Sequence, residues 1–169
     1  MGASDSALLD AARLVAELMR EFLEPPRTMA CDTWADEFRQ IVKGPEKGRW
    51  RTSRTPYLRE PMACTDPESP VQRVVMQFAT QLGKSEVLYN AVFKRIHLDP
   101  VDMMMVQPTL QDAKDHSRQR FAPTARKMPE VHERLPDLRS RDETNTWQTK
   151  ELRGGATLFF AGANSARSL

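Results

Sequence analysis

The stretch of sequence that decides the fold reads Thr80-Gln81-Leu82-Gly83-Lys84-Ser85. It follows an apolar run at residues 71–78, which predicts a strand. It precedes apolar residues at helical spacing over residues 86–96, which predict a helix. Gly-Lys-Ser between a strand and a helix is the second half of a phosphate-binding loop. The sequence therefore points first to a nucleotide site at this junction.

The residue types in this loop suit the chemistry of a nucleoside triphosphate. Backbone N–H groups at a helix N-terminus face phosphate oxygens, and Gly83 lets the backbone approach them because it has no Cβ. Lys84 would bring a positive charge to the β- and γ-phosphates, and the Ser85 hydroxyl would complete the coordination shell of Mg²⁺. We predict ATP and Mg²⁺ as the ligands.

The loop departs from the full motif, which requires a second glycine five residues before Gly83. Phe78 stands at that position. A lysine at the start of an ordinary helix is therefore the alternative interpretation. The strand pattern before the loop, the helix pattern after it and a second apolar strand that ends in Gln107-Pro108-Thr109 favour the nucleotide site.

Strand and helix patterns alternate from the loop onward. The apolar run Met103-Met104-Met105-Val106 predicts a buried strand, and Thr109 is expected to cap the helix that follows. Residues 145–152 and 156–160 predict two more strands on either side of the turn Gly154-Gly155. This order predicts an α/β fold with a parallel sheet covered by helices.

The first part of the chain is predicted to be helical and then irregular. Residues 6–24 form an amphipathic pattern that Pro25-Pro26 ends, and a second helix begins at a capping box near Thr33 and stops at Gly44-Pro45. Residues 44–70 hold five prolines and predict an extended loop. We divide the chain into a helix and linker over residues 1–30, a helix with a proline-rich segment over residues 31–70, and an ATPase core over residues 71–169.

The composition excludes several classes of protein. The chain has 169 residues, 40% of them apolar and 28% charged, with a net charge of +2, which is ordinary for one globular domain. No apolar run is long enough to span a membrane and no signal-peptide pattern opens the sequence, so we expect neither a membrane protein nor a secreted one. Two cysteines do not build a disulfide framework, and they indicate a reducing cytosol.

Three further sets of residues were weighed as candidate sites. Cys31 and Cys64 lie far apart and are expected to be structural thiols. The histidines have no partner at metal-binding spacing and are expected on the surface or in loops: His97, His116 and His132. Basic residues surround two aromatic ones and would bind phosphates or a base, or would form a solvated loop with one buried ring: Lys47, Arg49, Arg51 and Arg54 around Trp50 and Tyr57.

The chain resembles the large terminase subunit of tailed bacteriophages, of the lambda type, from about Trp34 to Ser168. The resemblance rests on short segments that occur together in the same order and at matching spacing. These segments are Trp34-Ala35-Asp36, Gly48-Arg49-Trp50, Arg54-Thr55-Pro56-Tyr57-Leu58-Arg59-Glu60, Gln81-Leu82-Gly83-Lys84-Ser85-Glu86, Val106-Gln107-Pro108-Thr109 and Gly162-Ala163-Asn164-Ser165.

The resemblance implies an ATP-driven motor that packages DNA during virion assembly. Such a motor has an ATPase core of the RecA and helicase-like P-loop type and a second, metal-dependent endonuclease domain. The partners implied are double-stranded DNA, a small terminase subunit and the portal of the procapsid. The full-length protein would form a homo-oligomer in the cytoplasm of the bacterial host, encoded by a phage or prophage.

The resemblance also assigns roles to residues of this chain. Tyr57 falls on the adenine side, Gln107-Pro108-Thr109 on the side that tracks DNA, and Gly162-Ala163-Asn164-Ser165 where nucleotide state is relayed to DNA. Lys84 would be the catalytic residue of the phosphate loop and Ser85 the metal ligand. The nucleotide-binding set is Tyr57, Thr80, Gln81, Leu82, Gly83, Lys84, Ser85 and Glu86, of which Glu86 matches an acidic residue of the family.

Two departures from the family qualify this expectation. Some large terminases carry an arginine finger inside the phosphate loop, where this chain has Thr80. The family also continues after Gly162-Ala163-Asn164-Ser165 into an apolar strand ending in Asp-Glu, a pattern that this sequence lacks. We therefore expect the N-terminal part of a terminase with an incomplete sheet. Such a chain would be marginally stable, prone to associate, and able to bind ATP with little or no turnover.

Two other functions remain open from the sequence. The chain would also suit a helicase-like P-loop NTPase outside phages. Alternatively, it would be a non-catalytic assembly module in which residues 1–24 dock a small terminase subunit and the loop is vestigial. A folded chain that binds no ATP would favour the assembly module.

Overall fold

The computed structural model describes residues 13–16, 19, 28–44, 46–135 and 146–164. Of the helix predicted over residues 6–24, residues 13–16 and 19 are described and helical, and the rest lies outside the described residues. The α-helices are α1 (Cys31–Phe38), α2 (Arg59–Ala63), α3 (Lys84–Leu98), α4 (Leu110–His116), α5 (Ala122–Ala125) and α6 (Pro129–Arg134). The strands are β1 (Gln40–Ile41), β2 (Gly48–Arg49), β3 (Met103–Gln107), β4 (Thr149–Glu151) and β5 (Thr157–Gly162).

A small mixed sheet forms the centre of the described structure. Its strand order is β3-β5-β4, with β3 parallel to β5 in the register Met105 opposite Phe160. The α/β class is therefore as predicted, but the prediction of a wholly parallel sheet is wrong, because β4 runs antiparallel to β5. The reason is the tight turn between them, where Gly154 and Gly155 both have positive φ. So short a connection joins only antiparallel neighbours.

The segment before the phosphate loop does not join this sheet. Residues 70–79 belong to no helix and pair with no described strand, so the strand predicted over residues 71–78 is wrong for the part of the chain that the structure describes. Met76 and Phe78 pack against the core, whereas Val75 is 83% exposed. An apolar run indicates extended, partly buried chain, but a strand also needs a neighbour for its backbone groups.

Helix α1 begins and ends earlier than predicted. It starts at Cys31, whose backbone N–H donates to Asp66 Oδ2 at 3.2 Å. Thr33 is therefore inside the helix and does not cap it. The helix ends at Phe38 because the chain then turns into β1, which pairs with β2 as a short antiparallel hairpin. Ile41, which was predicted to lie in this helix, therefore lies in a strand.

The proline-rich segment is more regular than predicted. It forms β2, two 3₁₀ turns at Thr52–Arg54 and Pro56–Leu58, and helix α2. Its prolines fit because Pro56 and Pro61 lie in first turns, where a backbone N–H has no partner within the helix. The prediction of an irregular loop over residues 44–70 is therefore wrong in part.

Helix α3 is the central element of the core. Phe93 on α3 stacks on Phe121 at 5.1 Å between ring centroids, and Phe121 meets Phe160 of β5 at 5.3 Å. The helix prediction for residues 86–96 is confirmed, with two more residues at each end. Thr109 caps α4 as predicted, since its Oγ1 accepts a hydrogen bond from the Asp112 N–H at 3.0 Å. A π-helical turn, Ser117–Phe121, joins α4 to α5.

The cysteines and one histidine lie in the kind of environment that the sequence predicts, whereas two histidines do not. Both cysteines are free, and burial raises the pKa of the Cys31 thiol to about 12, as suits a structural thiol. His132 is exposed as predicted. His97 and His116 are half-buried on helices, so the surface or loop prediction is wrong for them. They pack on aromatic rings, since His97 meets Phe38 edge-on at 4.8 Å and His116 lies parallel to Tyr89.

No helix within the described ranges is long and apolar enough to cross a membrane.

A mostly buried ion pair fixes helix α3 to the segment after α2. Lys94 Nζ lies 2.5 Å from Asp66 Oδ1, and the two side chains are 7% and 13% exposed. The other carboxylate oxygen of Asp66 caps α1. A single carboxylate therefore holds two helices together.

Asp66→Ala should destabilise the fold by about 3–5 kcal/mol, because it leaves the Lys94 ammonium buried without its partner. The free energy of unfolding from urea titration measures this. Asp99→Ala is the matched control. It removes an i,i+4 pair with Arg95 that is more exposed, and should cost under about 1 kcal/mol. Equal costs for the two variants would contradict the role of Asp66.

Candidate functional site

The loop before α3 has the backbone shape of an anion cradle. Gln81 has φ 63° and Gly83 has φ 84°, so two residues of one tight turn are left-handed. Left-handed residues in a turn direct successive N–H groups into a concave array that suits an anion. The loop leads directly into the N-terminus of α3, where further N–H groups and the positive end of the helix dipole lie. Left-handed φ is uncommon for a residue such as Gln81 and marks functional turns.

Gly83 also lies in close contact with a second segment. A Cβ at this position would lie 2.7 Å from Leu58 Cδ1, so the 3₁₀ turn that carries Tyr57 packs directly on the loop. The glycine therefore serves both the positive φ and the close approach of these two segments. The sequence suggested only an approach to phosphate.

Lys84 is the first residue of α3, and its side chain folds back over the loop. Its Nζ donates to the carbonyl oxygens of Phe78 and Ala79, each at 2.9 Å. The ammonium thus closes the loop on itself and stays beside the turn formed by residues 81–83. A positive charge on this loop would attract an anion.

The structure brings Tyr57 together with the middle of the loop, residues 81–83, in one cavity of about 230 Å³, which we call the base-side cavity. Its lining includes Tyr57, Gln81, Leu82, Gly83 and Glu86. The Tyr57 ring is about half exposed and meets Phe78 edge-on, with ring centroids 6.3 Å apart. Of the predicted set, Thr80 and Lys84 line neither this cavity nor the second cleft described below.

The basic cluster has one buried ring, as in a solvated loop, and it also has arginines on a cavity, as a phosphate or base site requires. Trp50 is buried, and its Nε1 donates to Thr52 Oγ1 at 3.0 Å. Arg49, Arg51 and Arg54 nevertheless line the base-side cavity. Arg49 is tied to the Asp36 carbonyl at 2.7 Å and Arg54 is paired with Glu46.

Ser85 lies on a second cleft, of about 580 Å³, at the same edge of the sheet. The cleft is lined by residues of α3, the end of β3, α4 and the π-helical turn: Lys43, Ser85, Leu88, Met105, Gln107, Pro108, Asp112, Asp115, His116, Gln119 and Arg120. Helix N-termini and strand carboxyl ends share one edge in an α/β unit, and ligands bind there. The fold thus places Ser85 beside the predicted Gln107-Pro108-Thr109 segment.

The ends of β3 and β5 are joined through backbone contacts. The Ala163 N–H donates to the Gln107 carbonyl at 2.8 Å. A Cβ on Gly162 would lie 2.3 Å from Leu110 N and 2.6 Å from the Thr109 carbonyl carbon, so the start of α4 rests directly on this glycine. Of the predicted relay segment, residues 162–164 are described and Ser165 lies outside the described residues.

Two aromatic groups link α3 to the second cleft. The Tyr89 hydroxyl and His116 Nε2 are 2.9 Å apart, and the ring planes are 3° from parallel. Burial, and secondarily Arg120, lowers the pKa of His116 below its usual 6.5, so this histidine is uncharged at neutral pH. Burial likewise raises the pKa of Tyr89. The pair is a neutral hydrogen-bonded unit beside charged side chains.

No sequence pattern pointed to Arg39, which the structure places beside the loop. Its buried guanidinium pairs with Glu86 Oε2 at 2.6 Å, forty-seven positions along the chain. Burial lowers the pKa of Arg39, and Glu86 opposes that shift. An arginine in a polar-looking stretch between a helix and a hairpin is indistinguishable from a surface residue until the fold is known.

Comparison with protein families identifies the class. A family model described as phage terminase large subunit gpA, ATPase domain, matches residues 44–169, which is most of the chain. The chain belongs to this family, whose members are phage DNA-packaging ATPases that use ATP and act with DNA. The predicted resemblance is thereby confirmed, and a P-loop protein from outside phages is disfavoured. No curated protein and no solved structure matched the chain.

Gly162→Ala should destabilise the protein by about 1–3 kcal/mol, because the new methyl group meets backbone atoms that have no rotamer to change. Chemical denaturation measures this. Ala163→Ser changes an exposed neighbour and should stay within about 0.5 kcal/mol of the parent protein. A Gly162→Ala protein as stable as the parent would show that α4 does not rest on this glycine.

Proposed function

We propose that this chain is the ATP-binding part of a terminase large subunit, a motor that couples ATP hydrolysis to DNA translocation. The observation that carries the proposal is the turn at residues 81–83, with two left-handed residues, leading into α3 under the Lys84 ammonium. Membership of the terminase ATPase family supports the same assignment.

Each side of the site then has its own task. The backbone N–H groups of Gln81, Leu82 and Gly83 bind phosphate oxygens, and Lys84 supplies the positive charge for the β- and γ-phosphates. Tyr57 contacts the base within the base-side cavity, which it lines together with Gln81, Leu82 and Gly83. Thr80 precedes the turn and contributes backbone to the loop. Glu86 lines the same cavity from the first turn of α3.

A divalent ion fits this site as a companion of the nucleotide. Among the described residues, no group of three or more His, Cys, Asp or Glu side chains is arranged to hold a metal alone. Mg²⁺ commonly keeps several waters and takes only one or two protein ligands along with substrate phosphates. The Ser85 hydroxyl suits that single-ligand role, and Mg²⁺ would neutralise charge on the phosphates.

The wider function follows the family. We propose double-stranded DNA, a small terminase subunit and the portal of the procapsid as partners, a homo-oligomer of the full-length protein, and the host cytoplasm as the location. A nuclease domain would belong to the full-length protein. The second cleft is the proposed side for DNA tracking, and the contact of Gly162 with the start of α4 supports a relay there.

Lys84→Ala should weaken ATP binding roughly tenfold to a hundredfold, because it removes a charged hydrogen-bond donor from the phosphates, an interaction worth about 1.5–3 kcal/mol. Titration calorimetry with ATP and Mg²⁺ compares the variant with the parent protein. Equal affinities would contradict the proposed site. A folded parent protein that binds no ATP would favour a non-catalytic assembly module.

Tyr57→Ala is the matched variant in the same experiment. It should weaken ATP by roughly 1–3 kcal/mol, the usual worth of stacking on a base, and spare inorganic triphosphate. Lys84→Ala should weaken both ligands. If Tyr57→Ala loses both to the same extent, the side chain supports the loop and does not read the base.

This 169-residue chain should hydrolyse ATP far more slowly than about one turnover per second, the low end of typical enzymes. Neither β3, ending at Gln107, nor β5, ending at Gly162, ends on a carboxylate that would orient water, and Thr80 provides no arginine finger. A steady-state ATPase assay with and without double-stranded DNA measures this.

Fast turnover abolished by Lys84→Ala would contradict that prediction and would point to Asp112. This carboxylate shares the second cleft with Ser85. Asp102 accepts a hydrogen bond from the Thr157 N–H at 2.8 Å, at the opposite edge of the sheet, and Asp99 follows the far end of α3. Asp112→Asn would then be the variant to test.

A further inference from the structure

We propose that Arg39 is a positioning residue of the nucleotide site, which orients the Glu86 carboxylate and neutralises its charge so that a triphosphate can bind beside it. The inference rests on the proposed ATP site. It adds a residue that lies before the segment matched by the terminase family and that no loop motif contains.

The contacts of Arg39 allow its guanidinium only one orientation. The side chain is 2% exposed. Nε donates to Asn90 Oδ1 at 3.0 Å, Nη2 donates to Glu86 Oε2 at 2.6 Å, and Nη1 donates to the Gln40 carbonyl. The guanidinium also lies over two rings, 5.6 Å from the centroid of Tyr89 and 5.3 Å from that of Phe93. A buried cation with every nitrogen directed is a fixed charge.

Glu86 needs such a partner because of where it stands. It directly follows Ser85 in the first turn of α3, and its side chain is 32% exposed on the base-side cavity. A carboxylate there is attracted to the same helix N-terminus that would bind phosphate. Without Arg39, its charge would compete with the phosphates and repel them. The ion pair directs that charge toward the guanidinium.

Arg39 also fixes the part of the cavity wall that the β1–β2 hairpin forms. It lies between α1 and β1, and the hairpin that begins at Gln40 carries Arg49 and Lys43 to the cavity. The ion pair therefore joins two walls, and a purely structural role for Arg39 is the competing explanation. If Arg39 acts by neutralising Glu86, the loss of affinity in an Arg39 variant should grow with ligand charge and should disappear when Glu86 is neutralised. A purely structural role predicts neither result.

The test measures the affinities of ATP, ADP and AMP by calorimetry for the parent protein and three variants, Arg39→Met, Glu86→Gln and the double variant. Arg39→Met should weaken ATP at least tenfold, ADP less and AMP least, because the exposed carboxylate repels each ligand according to its charge. The double variant should recover most of the ATP affinity. Glu86→Gln alone should tighten ATP by about twofold to tenfold, since the Arg39 charge is then uncompensated.

Arg49→Met is the matched control. It removes another arginine of the same cavity, which donates to the Asp36 carbonyl and makes no ion pair with Glu86. Glu86→Gln should therefore change ATP affinity in the Arg49→Met protein only by the factor that it shows in the parent protein, whereas in the Arg39→Met protein it should reverse most of the loss. If Arg39→Met fails to fold, Glu86→Gln decides the question. Weaker ATP binding by Glu86→Gln would overturn the proposal.

Equal losses for all three nucleotides in Arg39→Met, or no recovery in the double variant, would also overturn it and leave Arg39 a structural role. A parent protein that binds none of the nucleotides would instead remove the proposed function itself. The two outcomes can be told apart, because the first is a loss of binding in the parent protein and the second is seen only in the variants.

Discussion

The rest of the described structure depends on how helix α3 is held in place. Its N-terminus ends the phosphate loop, its middle forms the aromatic core through Phe93, and its buried polar residues are paired with distant segments. Near the N-terminus Glu86 pairs with Arg39, and further along Lys94 pairs with Asp66. These two ion pairs hold α1 and the proline-rich segment against α3. The turn that carries Tyr57 is thereby held against the loop, where Leu58 packs on Gly83.

Local signals in the sequence predicted the elements whose cause is local. The helical spacing after Lys84 predicted α3, the apolar methionines predicted β3, and Thr109 predicted the cap of α4. The prediction that β3 is buried is wrong for one of its faces, because Met104 is 52% exposed and Val106 is 45% exposed. The turn at Gly154-Gly155 was also predicted, because only glycine adopts such φ values readily. In each case the deciding atoms lie within a few residues of one another. The loop at residues 80–85, which the sequence predicts to bind phosphate, is also a local feature, since the positive φ of Gln81 and Gly83 lies within the motif itself.

Features whose cause lies far along the chain were not predicted. Helix α1 begins at Cys31 because Asp66, thirty-five positions away, accepts its N–H. The segment at residues 71–78 has the apolar pattern of a strand, but it lacks a described neighbour. Arg39 reads as an ordinary polar residue until the fold brings Glu86 to it. Patterns of hydrophobicity specify which side chains are buried, and they do not specify partners.

The folded-back side chain of Lys84 has a consequence for how the loop accommodates a ligand. An ammonium group has three N–H donors, and two of them are directed to the Phe78 and Ala79 carbonyls. The third remains for an incoming oxygen, so the same nitrogen can grip an anion without releasing the chain that precedes the turn. Lys84 would therefore bind an anion while it keeps its two hydrogen bonds to the backbone of residues 78 and 79.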